Sequence, residues 1–265
     1  MISIGKVVRV NSLEEAYQLN QERTNVVLGG FMWMKMGSRT IENAIDLSGL
    51  GLDTIEETDG EFRIGCMCSL RSLELHDGMD QAFPGAFREA LGHIVGVQFR
   101  NGATVGGSIY GRYGFSDVLT LFLALDCDVE LYHGGIVPLK EFVVMKPDTD
   151  ILVRVIVRKD GRKVSYQSQR ISKTDFPVIA VAVAQKADSF FVSIGARPSK
   201  ALLLEKTPCS LDGNSSEEEI ASFANWAKDQ FTYASDLRGT GDYRKHLASV
   251  YVRRAVIDIL GGKKI

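Results

Sequence analysis

Two glycine-bearing segments carry the residue types from which a ligand site could be built. The first is Val26-Val27-Leu28-Gly29-Gly30-Phe31-Met32-Trp33. A strand that ends in Gly-Gly can turn its next few amides toward one point, and such a nest binds phosphate oxygens without any cationic side chain. The second is Gln98-Phe-Arg-Asn-Gly-Ala-Thr-Val-Gly-Gly-Ser-Ile109, which contains Ala103, Thr104, Gly106, Gly107 and Ser108. Read as a Thr-x-Gly-Gly turn between apolar stretches, it lets backbone amides approach a ligand that a side chain would block. Thr104 and Ser108 add hydroxyls beside the glycines. Asp117 follows, and its carboxylate suits either of two tasks: accepting hydrogen bonds from a ribose or other polyol, or stabilising the start of a helix through its dipole. Neither segment has the Gly-x-Gly-x-x-Gly spacing of a Rossmann fingerprint, so a dinucleotide here requires another fold.

Other chemistries find little support. His76, His93, His133 and His246 are scattered without metal-ligand spacing. Of the four cysteines, Cys66 and Cys68 are two apart, which places them on one face of a strand; with Cys127 and Cys209 they form no zinc or iron–sulfur pattern. They read as reduced thiols, which suits the cytoplasm. There is no Gly-x-Ser-x-Gly and no Ser–His–Asp order for a hydrolase, so no catalytic residue and no metal ligand is assigned. A formal charge of −2 argues against a nucleic-acid binder. The closing Lys263-Lys264 pair reads as a solvated tail, no apolar run reaches the ~20 residues of a membrane span, and no secretory signal is visible at the N-terminus.

The elements that must position these residues follow from periodicity. Lys6–Val10 and Val26–Leu28 read as strands around a helix opened by the capping box Ser12-Leu-Glu-Glu15. Glu61–Gly65 alternates like a strand, and Ser69 can cap the next helix. Phe83, Phe87, Ala90, Leu91 and Ile94 fall on one helical face, followed by a helix over Val118–Leu125 and a strand over Val129–Tyr132. Ile151–Arg158 and Lys163–Gln169 read as a hairpin about Lys159-Asp160-Gly161. Val178–Gln185 and Phe190–Ile194 read as strands, and two helices close the chain. The first is capped in the run Ser215–Glu219, and Gly261 stops the second. Mixed α/β units, then strands, then helices favour an α+β protein of two domains, and the polar stretch Lys146-Pro147-Asp148 suggests a boundary between 1–147 and 148–265.

Together, over nearly the whole chain, the segments resemble the FAD-binding medium subunit of the molybdenum hydroxylases, the family of xanthine dehydrogenase and carbon monoxide dehydrogenase. Leu28-Gly29-Gly30 looks like that family's first pyrophosphate loop, and Val97–Ile109 like its second, more specific one. Ser116-Asp117 with Ala124–Val129, and Ser235-Asp-Leu-Arg-Gly-Thr-Gly-Asp-Tyr-Arg-Lys245 before an apolar helix, continue the pattern. The resemblance implies a two-part FAD-binding domain of the PCMH/vanillyl-alcohol-oxidase-like type, followed by a small α+β C-terminal domain of antiparallel sheet and helices. It further implies that Val26 to Trp33 contact the FAD pyrophosphate and that Ala103 to Ser108 complete the cradle. Asp117 would take the ribityl or adenosine side, Ile94 would make an apolar FAD contact, and Ile151 and Gln167 would approach the flavin. The implied partners are an iron–sulfur subunit and a molybdopterin-binding subunit, with NAD or another acceptor taking the electrons. Three features depart from the family: Ser108 stands where Asn is frequent, bulky Phe31-Met32-Trp33 replaces small polar residues, and Tyr110-Gly-Arg-Tyr-Gly114 replaces a small-residue and proline linker. The alternatives are a stand-alone FAD-dependent reductase of related fold and a flavin-free assembly or interaction subunit.

Overall fold

The computed structural model describes residues 1–205, 207 and 211–261; Cys209 and the Lys263-Lys264 pair lie outside the described residues. Its contacts divide the chain into two discontinuous compact units. The first takes Met1–Leu73, Val97–Gly111 and Cys127–Arg158, and the second takes Glu74–Gly96, Arg112–Asp126 and Lys159–Ile265.

In the first unit, β1 (Ser3–Arg9), α1 (Leu13–Asn20), β2 (Val26–Leu28) and β3 (Thr40–Asp46) form a parallel sheet in the order β1-β3-β2, with the helix as a crossover. Half of the expected capping box forms: Ser12 Oγ accepts from Glu15 N at 3.1 Å, but Glu15 Oε2 accepts from Asn11 N at 2.8 Å rather than from Ser12 N. Ile41, Ala44 and Ile45 on β3 are fully buried, as expected for a central strand covered on both faces. A second sheet is antiparallel throughout, in the order β4 (Ile55–Glu57), β5 (Glu61–Gly65), β8 (Leu152–Arg158), β6 (Asp128–Leu131), β7 (Gly135–Pro138). Helices α2 (Leu70–Glu74), α5 (Val97–Gly102), α6 (Val105–Tyr110) and α8 (Leu139–Val144) fill the connections.

The strand at Leu152–Arg158 corrects one expectation. It does not form a hairpin with Lys163–Gln169; it lies between β5 and β6. The turn chemistry at Lys159-Asp160-Gly161 is real, since Gly161 has φ +75°, but the two strands it joins belong to different sheets. Cys66 and Cys68 also differ from expectation: they sit in the turn after β5 rather than on a strand.

The second unit is built on the antiparallel sheet β9 (Lys163–Gln169), β10 (Ile179–Lys186), β11 (Ser189–Gly195) and β12 (Leu202–Leu204), in the order β12-β11-β10-β9. Strand β10 reads Ile-Ala-Val-Ala-Val-Ala, and alternation sends the two residue sizes to opposite faces. Ile179, Val181 and Val183 enter a core with Phe223 of α9 (Glu217–Asp229) and Val252 and Val256 of α10 (Gly241–Ile259). Each such burial contributes roughly 1.5–3 kcal/mol. The small alanines leave the other face open to α7 (Asp117–Ala124), every residue of which is buried. Its Thr120 Oγ1 approaches Gly195 so closely that a Cβ there would overlap it. The helix expected over Phe83–Ile94 is shorter: α4 spans only Ala86–Leu91, because Pro84-Gly85, with Gly85 at φ +72°, separates it from Phe83, which instead caps the end of α3 (Asp77–Ala82).

Candidate functional site

The first unit brings the two glycine segments together. Beyond Leu28 the chain turns a corner in which Gly30 has φ +77° and Phe31 has φ +62°. A left-handed conformation costs a non-glycine residue roughly 1–2 kcal/mol, and such strain persists where surrounding structure enforces it. Here the enforcement is visible: a Cβ on Gly30 would overlap the carbonyl oxygen of Gly102 at the end of α5. A Cβ on Gly29 would stand 3.0 Å from Gly107 Cα, and one on Gly107 would stand 2.8 Å from the Gly29 carbonyl oxygen. Backbone therefore meets backbone with no side chain between. Among the described residues, the N–H groups of Gly30, Phe31 and Met32 donate to no protein acceptor. Unspent amides at a left-handed corner are the donor set that phosphate oxygens take without a cation, so the residues present fit an FAD pyrophosphate.

The second glycine segment does something different from what its composition suggests. It is not an open turn but the N-terminus of α6, with Thr104 as the cap. Every early donor of that helix is already used. Val105 N donates to Cys68 O at 2.9 Å, Gly106 N to Cys66 O at 2.8 Å, and Gly107 N to Thr104 Oγ1 at 3.1 Å. Ser108 Oγ donates to Thr104 O at 2.9 Å. The glycines are required by close approach rather than by amide donation: a Cβ on Gly106 would come within 2.6 Å of Cys66 Cβ. Thr104, Gly106 and Gly107 thus form the floor against which the first loop is pressed, and Ala103 is buried at its edge.

The bulky loop residues have their own places. Met32 lies against Gly102, where a Cβ would stand 2.8 Å from its sulfur. Trp33 packs on Phe99 of α5 with ring centroids 4.6 Å apart. The departure at Phe31-Met32-Trp33 is absorbed by α5, through the absence of a side chain at Gly102 and the ring of Phe99.

Asp117 has one carboxylate oxygen already engaged within the chain. It lies in the second unit as the first residue of α7, 5% exposed, and its Oδ1 accepts from both the Tyr166 hydroxyl and the Arg170 guanidinium. Burial pushes its carboxyl up, against the pull of Arg170 and the Tyr166 hydrogen bond, and burial also raises the Tyr166 phenol. Arg170 Nε is buried without a partner. Tyr166 and Arg170 are neighbours that the sequence reading did not join to Asp117; they stand 49 and 53 residues away. Ile94, half-buried after α4, and Gln167, whose Nε2 donates to Ser165 Oγ at 3.3 Å, are likewise in the second unit. Ile151 belongs to the first and is buried beside β8, its carbonyl accepting from Tyr132 N at 2.9 Å.

The remaining reactive groups are quiet. Burial pushes the Cys66 thiol up to about 12 and the Cys68 thiol up to about 11, so neither is a nucleophile at neutral pH. Among the described residues, no group of three or more His, Cys, Asp or Glu side chains could hold a metal ion. No helix among them is long and apolar enough to cross a membrane.

Comparison with known proteins identifies the family. The family model described as "FAD binding domain in molybdopterin dehydrogenase" matches residues 3–159, and that described as "CO dehydrogenase flavoprotein C-terminal domain" matches residues 164–259. The chain is 29% identical to the protein YgfM of Escherichia coli strain K12 over 256 residues, covering 94% of each. It is 38% identical over 80 residues to the aldehyde oxidoreductase FAD-binding subunit PaoB of the same strain, covering 30% of this chain and 25% of that one. Among solved structures, a chain of the CO dehydrogenase from Oligotropha carboxidovorans superposes with a TM-score of 0.84 at 22% identity, covering 98% of this chain and 99% of its own. At that identity the likeness speaks for the fold.

Proposed function

Because this chain belongs to the family of FAD-binding subunits of the molybdenum hydroxylases, we propose that it works as the electron-relay subunit of such an oxidoreductase complex. It would stand between an iron–sulfur subunit, itself fed by a molybdopterin-binding subunit, and NAD or another acceptor. FAD supplies the redox chemistry when bound. The chain's own residues bind, orient and shield it. The corner Gly29–Met32 offers its unspent amides to the pyrophosphate. Val26, Val27 and Leu28 fix that corner in the parallel sheet, and Ala103, Thr104, Gly106, Gly107 and Ser108 hold it from beneath. Met32 and Trp33 close its flank against α5.

On this reading residues 1–147 are the FAD-binding part and 148–265 the C-terminal part, although β8, beyond that boundary, pairs with β5 and β6 of the first unit. The cytoplasm suits the buried thiols of Cys66, Cys68 and Cys127, which form no disulfide.

The observation that carries the proposal is the left-handed pair Gly30–Phe31, with N–H groups unspent at Gly30, Phe31 and Met32. The test is purification of the chain followed by titration with FAD. Stoichiometric flavin absorption supports the reading, whereas a colourless protein that takes up no added FAD contradicts it. Co-purification with iron–sulfur and molybdenum subunits then distinguishes a relay subunit from a stand-alone reductase.

A further inference from the structure

The second unit contains a cavity of about 500 Å³ that shares no residue with the glycine corner. That volume lies in the range of small-molecule sites. Four consecutive residues of β9, Val164 to Gln167, line it. Because side chains alternate between the faces of a strand, a cavity touching consecutive residues lies along the strand's edge. Strand β9 is indeed an edge strand, paired only with β10. The rest of the lining comes from Pro84–Glu89 around α4 and from α9 and α10.

The lining is rich in unspent donors. Arg253 gives Nη2 to Glu217 at 2.7 Å, while its Nε is buried without a partner. Arg254 lies over the Tyr251 ring with its guanidinium carbon 5.4 Å from the centroid, spends one hydrogen bond on Tyr251, and has no carboxylate partner among the described residues. Asn225 accepts from Lys228 through Oδ1 at 2.7 Å, leaving its amide protons unspent. The acidic groups, by contrast, are engaged: Asp258 accepts from Ser165 Oγ at 2.8 Å, and Glu89 lies 3.5 Å from His93. Ala221, Val250 and Ile257 supply an apolar wall.

Spare guanidinium and amide donors beside an apolar wall point to one ligand chemistry. The geometry points to a site for a small organic anion, a carboxylate or phosphate carried on an apolar or ring body. Gln167, which the family resemblance brings toward the flavin, is assigned here to the wall of this cavity. The anion's oxygens take the Arg253 and Arg254 donors, and its body covers Ala221 and Ile257.

The site is tested on the whole chain with FAD present in excess, by calorimetric titration with adenosine monophosphate, 1-naphthoate and uncharged adenosine. At least one anion binds saturably with a Kd below about 1 mM, and adenosine binds at least about tenfold more weakly. Preference for the nucleotide or the naphthoate identifies the source of the anionic group. Arg254→Ala weakens that binding about tenfold, and Ala221→Trp, which fills the cavity, abolishes it, while both variants keep their circular dichroism and their FAD content. Binding of neither anion overturns the inference, and so does binding that survives Ala221→Trp unchanged. Because FAD content is read separately, failure of this site is distinguishable from failure of the flavin reading.

Discussion

At the scale of single residues, the strongest constraint is on Gly30. A side chain there meets two penalties at once, the left-handed backbone and the Gly102 carbonyl. Gly30→Ala is therefore expected to weaken FAD binding by at least about a hundredfold, which corresponds to about 2.7 kcal/mol. Gly102 is a milder case, because its neighbour is the end of a flexible side chain. Gly102→Ala alone should weaken FAD binding modestly, and Met32→Ala should restore it, a coupling that a double-mutant cycle reads directly.

The buried pair Asp117–Arg170 behaves differently. Asp117→Asn leaves a guanidinium buried without its counter-charge, at a cost of roughly 3–5 kcal/mol, measurable as a lower urea midpoint. The raised Asp117 carboxyl works against stability as pH climbs through its folded value. Asp160 has the opposite sign. Burial raises its carboxyl, but hydrogen bonds from Arg162 and Lys186 outweigh burial and hold it well below the usual range. Its stabilisation is present above the ordinary carboxylate pKa of about 3.9 and fades as pH falls below it. Asp160→Asn should accordingly destabilise the protein at neutral pH and much less in strong acid, as urea midpoints across pH will show.

At the scale of elements, local signals were legible and non-local ones were not. Helix α9 is marked by Ser216 and Glu219, and both bonds of a capping box form: Glu219 N to Ser216 Oγ at 3.2 Å, and Ser216 N to Glu219 Oε2 at 2.7 Å. Ser216→Ala should cost about 1 kcal/mol, read as a lower midpoint of denaturation. The Thr-x-Gly-Gly segment was misread because a turn and a capped helix start use the same residues. What decides between them is the docking of Val105 and Gly106 onto the carbonyls of Cys68 and Cys66, nearly forty residues earlier. The apparent hairpin failed for a similar reason. Lys159-Asp160-Gly161 dictates a turn, but not which sheet receives the strand before it. Asp117 carried no sign that Tyr166 and Arg170 would reach it.

At the scale of the whole molecule, composition and element order indicated an α+β protein of two parts, and the family matches meet between residues 159 and 164. The chain nonetheless does not divide at one point, since Val97–Gly111 and Cys127–Arg158 return to the first unit after excursions into the second. A linear reading has no access to such returns, because each is specified by long-range pairing such as β8 with β5 and β6. The glycine corner depends on one of them: Gly102 and Gly107, which hold Gly29 and Gly30 in place, belong to the first return.

The central claim is that this corner holds FAD, and it is tested most directly by titrating FAD into the wild-type chain and the Gly30→Ala variant under identical conditions, with circular dichroism confirming that both are folded. The account predicts stoichiometric binding by the wild type and a loss of at least about a hundredfold in affinity for the variant. Equal affinity in the two proteins, or no binding by a folded wild type, would contradict it.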